Sequence, residues 1–259
     1  MQTVKIIDHI INELKLYCDK AGLKGFVTGV SGGIDSAVTS SLCARTGKSV
    51  ILLHMPVYQA KDQVSLAMHH IENLEKNYHN VKGVNIELTP AFQAIENSFP
   101  KNIQDRLTMG NTRARLRMLT LYAFASHNKM LVAGTGNKVE DFGVGFYTKY
   151  GDGGVDISPI ANLMKSEVYE LGKQLNVSRD ILNAPPTDGL WHDNRTDENQ
   201  LGATYPELEW AMKFEEKRKD EKNLNAREKQ VLLIYRKYHR ANSHKMNPIP
   251  VIKIPESYL

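Results

Sequence analysis

Eight residues, GVSGGIDS at 29–36, place three glycines, two serines and an aspartate between an apolar run and a helical pattern. A strand that turns into a helix through Ser31-Gly32-Gly33 leaves several backbone N–H groups aimed at one point, and such a point attracts anions. Glycine admits positive φ and lets an oxyanion reach the backbone, while Ser31 and Ser36 add hydroxyl donors. Asp35 would repel a phosphate unless a divalent cation lay between them, so the stretch implies phosphate held together with Mg²⁺. It is not the familiar phosphate loop G-x-x-x-x-G-K-[ST], because it carries no lysine.

Other residues with chemical reach lie downstream. Arg113, Arg115 and Arg117 crowd one short stretch, a pattern that suits either a solvated helix face or an anionic ligand. Lys149 and Asp156 flank YGDGG, where three closely spaced glycines are easier to explain by close ligand approach than by packing. His69 and His70 are adjacent, hence on different faces of a helix, and no H-E-x-x-H occurs, so no zinc site is expected.

The elements that must carry these groups follow from the hydrophobic pattern. Val4, Ile7, Ile11, Leu14 and Cys18 recur at three and four residues and predict a first helix ending at Ala21-Gly22. Strand GFVTGV, the small-residue helix IDSAVTSSLCARTG and strand SVILLHM come next. They are followed by a helix over 61–76, strand VNIEL, a short helix at PAFQAIENSF, a long helix through RARLRMLTLYAFAS and strand MLVAGT. Continuous apolar strands alternating with helices predict an α/β doubly wound parallel sheet with helices on both faces. Beyond Gly134 the periodicity weakens, apart from a helix at MKSEVYELGKQL and two near 206–219 and 226–241. The mixed charges of KFEEKRKDEK read as a solvated helix face.

With 259 residues and ordinary apolar content, a single domain over 1–259 is expected. No apolar run spans a bilayer, no signal-peptide cleavage region follows the first helix, and Cys18 and Cys43 form no C-x-x-C pair. The expectation is a cytoplasmic protein with two reduced core cysteines and no membrane partner. A net charge of +4 is a mild bias toward anionic partners and does not require nucleic acid.

SGGIDS resembles the pyrophosphate-binding loop of the N-type ATP pyrophosphatases, and NTRARLRM, GTGNKVED, FYTKYGDGGVDISPI and APPTDGL are similar, in order and spacing, to NAD synthetases. The resemblance covers nearly the whole chain and implies a Rossmann-like sheet of the adenine nucleotide alpha hydrolase kind. It implies that Gly29, Val30, Ser31, Gly32, Gly33, Ile34, Asp35 and Ser36 hold ATP phosphates, with Asp35 and Glu140 as Mg²⁺ ligands. It further implies ATP contacts at Thr135, Lys165 and Thr187, deamido-NAD⁺ contacts at Arg115, Lys149 and Asp156, and a closing pair at His244 and Lys245. One departure is Gly136, where many relatives carry Asp or Ser.

The implied chemistry is adenylation of the nicotinate carboxylate of deamido-NAD⁺ by ATP, then attack by ammonia, with Asp35, Lys165 and Asp156 as catalytic groups. No glutaminase domain is expected, so free ammonia is the nitrogen source, and the resemblance implies a homodimer. Two other readings remain: a transfer-RNA modifying enzyme of the same loop family gripping RNA through RKYHRANSHK, and a nucleotide sensor without catalysis. The 184–206 loop and the 240–247 tail, polar and Pro- or Asn-marked, are expected to order only around ligands.

Overall fold

The computed structural model describes residues 1–58, 61–186, 196–217 and 220–259. Its centre is a four-stranded parallel sheet in the order β3-β2-β1-β4, built from β1 (Gly25–Gly29), β2 (Ser49–His54), β3 (Val81–Asn85) and β4 (Leu131–Val132). Each crossover carries helices: α1 (Thr3–Lys20) precedes β1, α2 (Ile34–Arg45) joins β1 to β2, and α3 (Lys61–Asn77) joins β2 to β3. Then α4 (Thr89–Ser98) and α5 (Arg106–Asn128) lead to β4. The central strands β1 and β2 are buried along nearly their whole length because both faces of the sheet are covered there, whereas in the edge strand β3 only Val81 is buried. Ile7, Leu14, Val38 and Ile71 pack on one face, Phe92, Met109 and Ala125 on the other. The doubly wound parallel architecture expected from the pattern is the one observed.

After β4 come a π-helix (Val139–Val144), α6 (Lys165–Gln174), α7 (Arg179–Asn183), α8 (Asp197–Leu201), α9 (Tyr205–Glu216) and α10 (Ala226–Met246). Helices α9 and α10 clamp the π-helix in a separate apolar cluster of Leu208, Met212, Val231 and Tyr235 against Val139 and Val144. Among the described residues no helix is long and apolar enough to cross a membrane. Cys18 and Cys43 are both buried and unbridged.

Four segments differ from expectation. Strand β3 lies at 81–85, not at 84–88. Gly83, which hides the strand in the sequence, is where Ile71 of α3 presses on the backbone, and Leu88 instead turns into α4 with its N–H donating to Pro56. Strand β4 is only two residues long because Ala133 already leaves it to bridge Ile157. Helix α5 starts seven residues earlier than the apolar run suggests, capped by Asp105, whose side chain accepts from the Thr108 N–H. The 240–246 segment, expected to wait for ligand, is the last part of α10, held down by Asn242 Nδ2 on Val144 O and Lys245 Nζ on the Gly145 and Tyr147 carbonyls. Helix α9 ends at Glu216, inside KFEEKRKDEK, whose residues 218–219 lie outside the described ones.

One buried group ties this core to pH. His70 of α3 is 5% exposed with Nε2 2.9 Å from Ser40 Oγ of α2, and burial lowers its pKa to about 4. The unfolded chain therefore binds the extra proton between pH 6.5 and about 4 while the native chain does not, so stability is intact above 6.5 and falls as pH drops through that window. The loss should reach about 3 kcal/mol by pH 4. Urea unfolding across this range should show a shallower pH slope for His70→Gln; equal slopes would assign the acid loss to other groups.

Candidate active site

The strand order reverses between β1 and β4, and in open α/β sheets the crevice at such a reversal, beyond the carboxyl ends of the strands, is where ligands bind. The loop after β1 stands there. Gly32 adopts φ +91°, which no other residue type enters without strain, and this bend brings the chain into α2. Ser36 Oγ donates to Gly33 O at 2.9 Å and accepts the Ser31 N–H at 3.2 Å, while Ser31 Oγ accepts the Gly33 N–H at 3.2 Å. The two serines thus close the turn on itself. Gly33 occupies the cap position of α2 and no side chain caps that end. The first-turn amides of α2 are left facing the crevice, where an anion can take the place of a cap.

Three charged side chains from three separate elements meet beside this helix end. Asp35 comes from the first turn of α2, Glu140 from the π-helix and Lys165 from the first position of α6. Lys165 Nζ donates to Asp35 Oδ2 and, at 3.2 Å, to Glu140 Oε1. Its side chain is 5% exposed and those of the two acids 16% and 15%. Burial opposes the Lys165 charge, but the two carboxylates outweigh it and hold the ammonium well above its usual pKa. Burial pushes Asp35 up to about 6, with Lys165 pulling the other way and Glu140 adding to the rise.

Two further residues of this centre, Asn137 inside GTGNKVED and Tyr205, are not singled out as site residues by the sequence. Asn137 is fully buried; its Nδ2 approaches Asp35 Oδ1 at 3.4 Å and its Oδ1 accepts the N–H groups of Val139 and Glu140, so it caps the π-helix while facing the acid. Tyr205 sends its hydroxyl to Glu140 Oε1 at 2.5 Å, and Lys165 Nζ lies 4.6 Å from its ring centroid. Burial, Glu140 and Asp197 keep that phenol protonated far above its ordinary range. Only the tertiary approach of α9 to the π-helix and α6 brings Tyr205 here; at sequence level it is merely the residue after a Thr204 cap.

A second chain of contacts joins the expected dinucleotide residues. Arg115 Nη2 donates to Lys149 O at 3.3 Å, Lys149 Nζ donates to His244 O at 2.8 Å, and Lys245 reaches the carbonyls of Gly145 and Tyr147. Asp156 does something else. Tyr122 donates to its Oδ1 at 2.9 Å and the Val132 N–H to its Oδ2 at 2.8 Å, so both oxygens brace β4 against α5. Its contacts do not join it to Arg115 or Lys149. Thr135 stands between Gly134 and Gly136 at the exit of β4. Thr187 lies outside the described residues. A side chain at Gly136 would collide with the Asp141 carboxyl, which fills that space and lines a cavity of about 100 Å³ with Tyr147, Asp152 and Ser158. Burial and the acids around it push Asp141 up to about 8, so it is largely neutral at pH 7.

Within RKYHRANSHK, Arg236 is bound to Glu215 and Glu221, and Lys245 to the backbone carbonyls of Gly145 and Tyr147.

Comparison with known proteins gives a consistent result. A family model described as NAD synthase matches residues 6–249. An NH(3)-dependent NAD(+) synthetase of Methanosarcina acetivorans is 36% identical over 267 aligned positions, covering 98% of this chain and 97% of that one. Among solved structures, the NMN synthetase of Francisella tularensis is 34% identical with a TM-score of 0.85, covering 99% of both chains. The NH3-dependent NAD synthetase of Campylobacter jejuni is 27% identical with a TM-score of 0.79, covering 98% of this chain and 100% of that one.

Proposed function

The chain belongs to the NAD synthase family, and on that premise we propose how its own residues perform the family's ligase reaction, ATP-dependent amidation that yields NAD⁺. The observation that carries the reading is the meeting of Asp35, Glu140 and Lys165 beside the uncapped end of α2. The triphosphate of ATP lies along Gly29–Ser36, its oxygens taking N–H donors from the first turn of α2. Two hard carboxylates with a cation already between them fit Mg²⁺, which binds through one or two carboxylates and completes its shell with phosphate and water. Asp35 and Glu140 would hold it, and when bound it offsets charge on the phosphoryl oxygens.

Arg115, Lys149, His244 and Lys245 bind the anionic nucleotide so that its nicotinate carboxylate faces the α-phosphorus. A carboxylate oxygen bonds to that phosphorus while its bond to the bridging oxygen breaks, and pyrophosphate leaves. Lys165 stands where charge grows on the transferred group. Ammonia then forms the C–N bond at the activated carbonyl, the C–O bond breaks and AMP departs. Adenylation is needed because a free carboxylate repels nucleophiles and has no leaving group. Thr135 and Thr187 would contact ATP. The unit would be a cytoplasmic pair of chains, with Leu107 and Leu119 of α5 among the exposed apolar residues a second copy would cover.

One observation favours a second reading of substrate size: the similarity to an NMN synthetase runs over 99% of both chains. Coupled assays of pyrophosphate release with ATP and ammonium should therefore compare deamido-NAD⁺ with nicotinate mononucleotide. The expected result is a higher kcat/KM for the dinucleotide and no rate with glutamine freed of ammonium. Preference for the mononucleotide would transfer the assignment to the smaller acid; release without either would sink the reading.

A further inference from the structure

We propose that Tyr205 is a positioning residue for this centre: its hydroxyl fixes one oxygen of Glu140 and its ring backs Lys165, leaving the other Glu140 oxygen to a divalent cation. This rests on the reading of Asp35 and Glu140 as the cation's ligands. An ammonium has three hydrogens to place. At Lys165 two point to Asp35 and Glu140, and the face of the Tyr205 ring, 4.6 Å away, receives the positive charge on the remaining side. The lysine is thus enclosed by two acids and a π surface.

Glu140 is held just as specifically. Both donors, Lys165 Nζ at 3.2 Å and the Tyr205 hydroxyl at 2.5 Å, bind the same atom, Oε1. Among the described residues no protein donor takes Oε2. Two bonds to one oxygen fix the plane of the carboxylate and leave the second free, which is what a ligand to a hard cation requires. The hydroxyl has one hydrogen and two acceptors, Glu140 Oε1 at 2.5 Å and Asp197 Oδ2 at 3.2 Å, and the shorter contact takes it. Tyr205 is 4% exposed and sits in the apolar cluster of α9 and α10. The α9–α10 layer, which already packs on the π-helix through Val139 and Val144, thus also contacts the Glu140 carboxylate directly through this phenol.

Tyr205→Phe keeps the ring and the packing and removes only the hydroxyl. Binding of Mn²⁺ by electron paramagnetic resonance, with a non-hydrolysable ATP analogue present, should weaken about tenfold, the size expected for loss of an outer partner of a metal ligand. The Mg²⁺ concentration for half-maximal activity should rise in parallel, with the KM for ammonium within about twofold of wild type. If the variant melts early, the binding titration is run in the cold with near-ultraviolet circular dichroism as the check on folding. Wild-type Mn²⁺ affinity in the variant, or an equal loss in ammonium KM, would overturn the proposal alone. Wild-type protein that binds Mn²⁺ no more tightly than Asp35→Asn would overturn the ligand reading first, and this one with it.

Discussion

Lys165→Met destabilises the protein by about 3–5 kcal/mol at pH 8, the range seen when one member of a buried ion pair is removed. Methionine preserves the stem and its packing, so the loss reports the charge. Lys165 is the only cation in contact with Asp35 and Glu140 among the described residues, and all three side chains are largely buried. Without it, two like charges face each other in a low-dielectric crevice. The pH dependence has a definite sign. Asp35 is already pushed upward by burial, and losing the lysine raises it further, so the deficit shrinks as pH falls and the acid takes up a proton. Denaturant unfolding of wild type and variant at pH 8 and pH 5 checks this, with Mg²⁺ expected to restore part of the loss. A deficit that grows on acidification would show that Lys165 does not neutralise these acids. Turnover should fall on the order of a hundredfold or more if, as proposed, the same charge faces the transferred phosphoryl group.

Asp35→Asn has the opposite profile, leaving the fold near wild type while removing catalysis. The amide keeps the shape and an oxygen for Lys165 to donate to, but it is a poor ligand for a hard cation. Adenylation, followed by pyrophosphate release in a single turnover, should slow on the order of a hundred- to a thousandfold. Nucleotide binding through Arg115, Lys149 and the α10 end should change little, since those groups form a separate chain of contacts. Calorimetric titration with the deamidated dinucleotide alongside rapid-quench kinetics separates the two effects. Unchanged single-turnover rates would remove Asp35 from the chemistry.

What could be read from the chain alone divides along physical lines. The GVSGGIDS turn was legible because a cluster of glycines has few structural uses, and the structure puts it at the strand-order reversal. The alternation of apolar strands and helices was legible because burial on both faces writes a continuous signal. The position of β3 was not, since Lys82 and Gly83 look unlike a strand and their placement depends on α3 approaching closely. Asn137, though inside GTGNKVED, and Tyr205 were not singled out for a related reason: each reads locally as a cap or a helix start, and their contacts to Asp35 and Glu140 span 102 and 65 residues of chain. Asp156 shows the converse, a polar residue singled out in the chain whose structural contacts are those of a brace.

The π-helix at 139–144 has a consequence for how this protein tolerates change. Its wider turn hangs on Asn137 at one end and on left-handed Gly145, pressed against Asn242, at the other. Within that span Val139 and Val144 must face the helical layer while Glu140 faces Lys165. Dropping one residue would tighten the turn to ordinary helical pitch and rotate everything beyond it by roughly 100°. Surface loops absorb insertions and deletions freely; here the count of six residues itself sets how Glu140 meets Lys165 while both valines stay in the apolar layer.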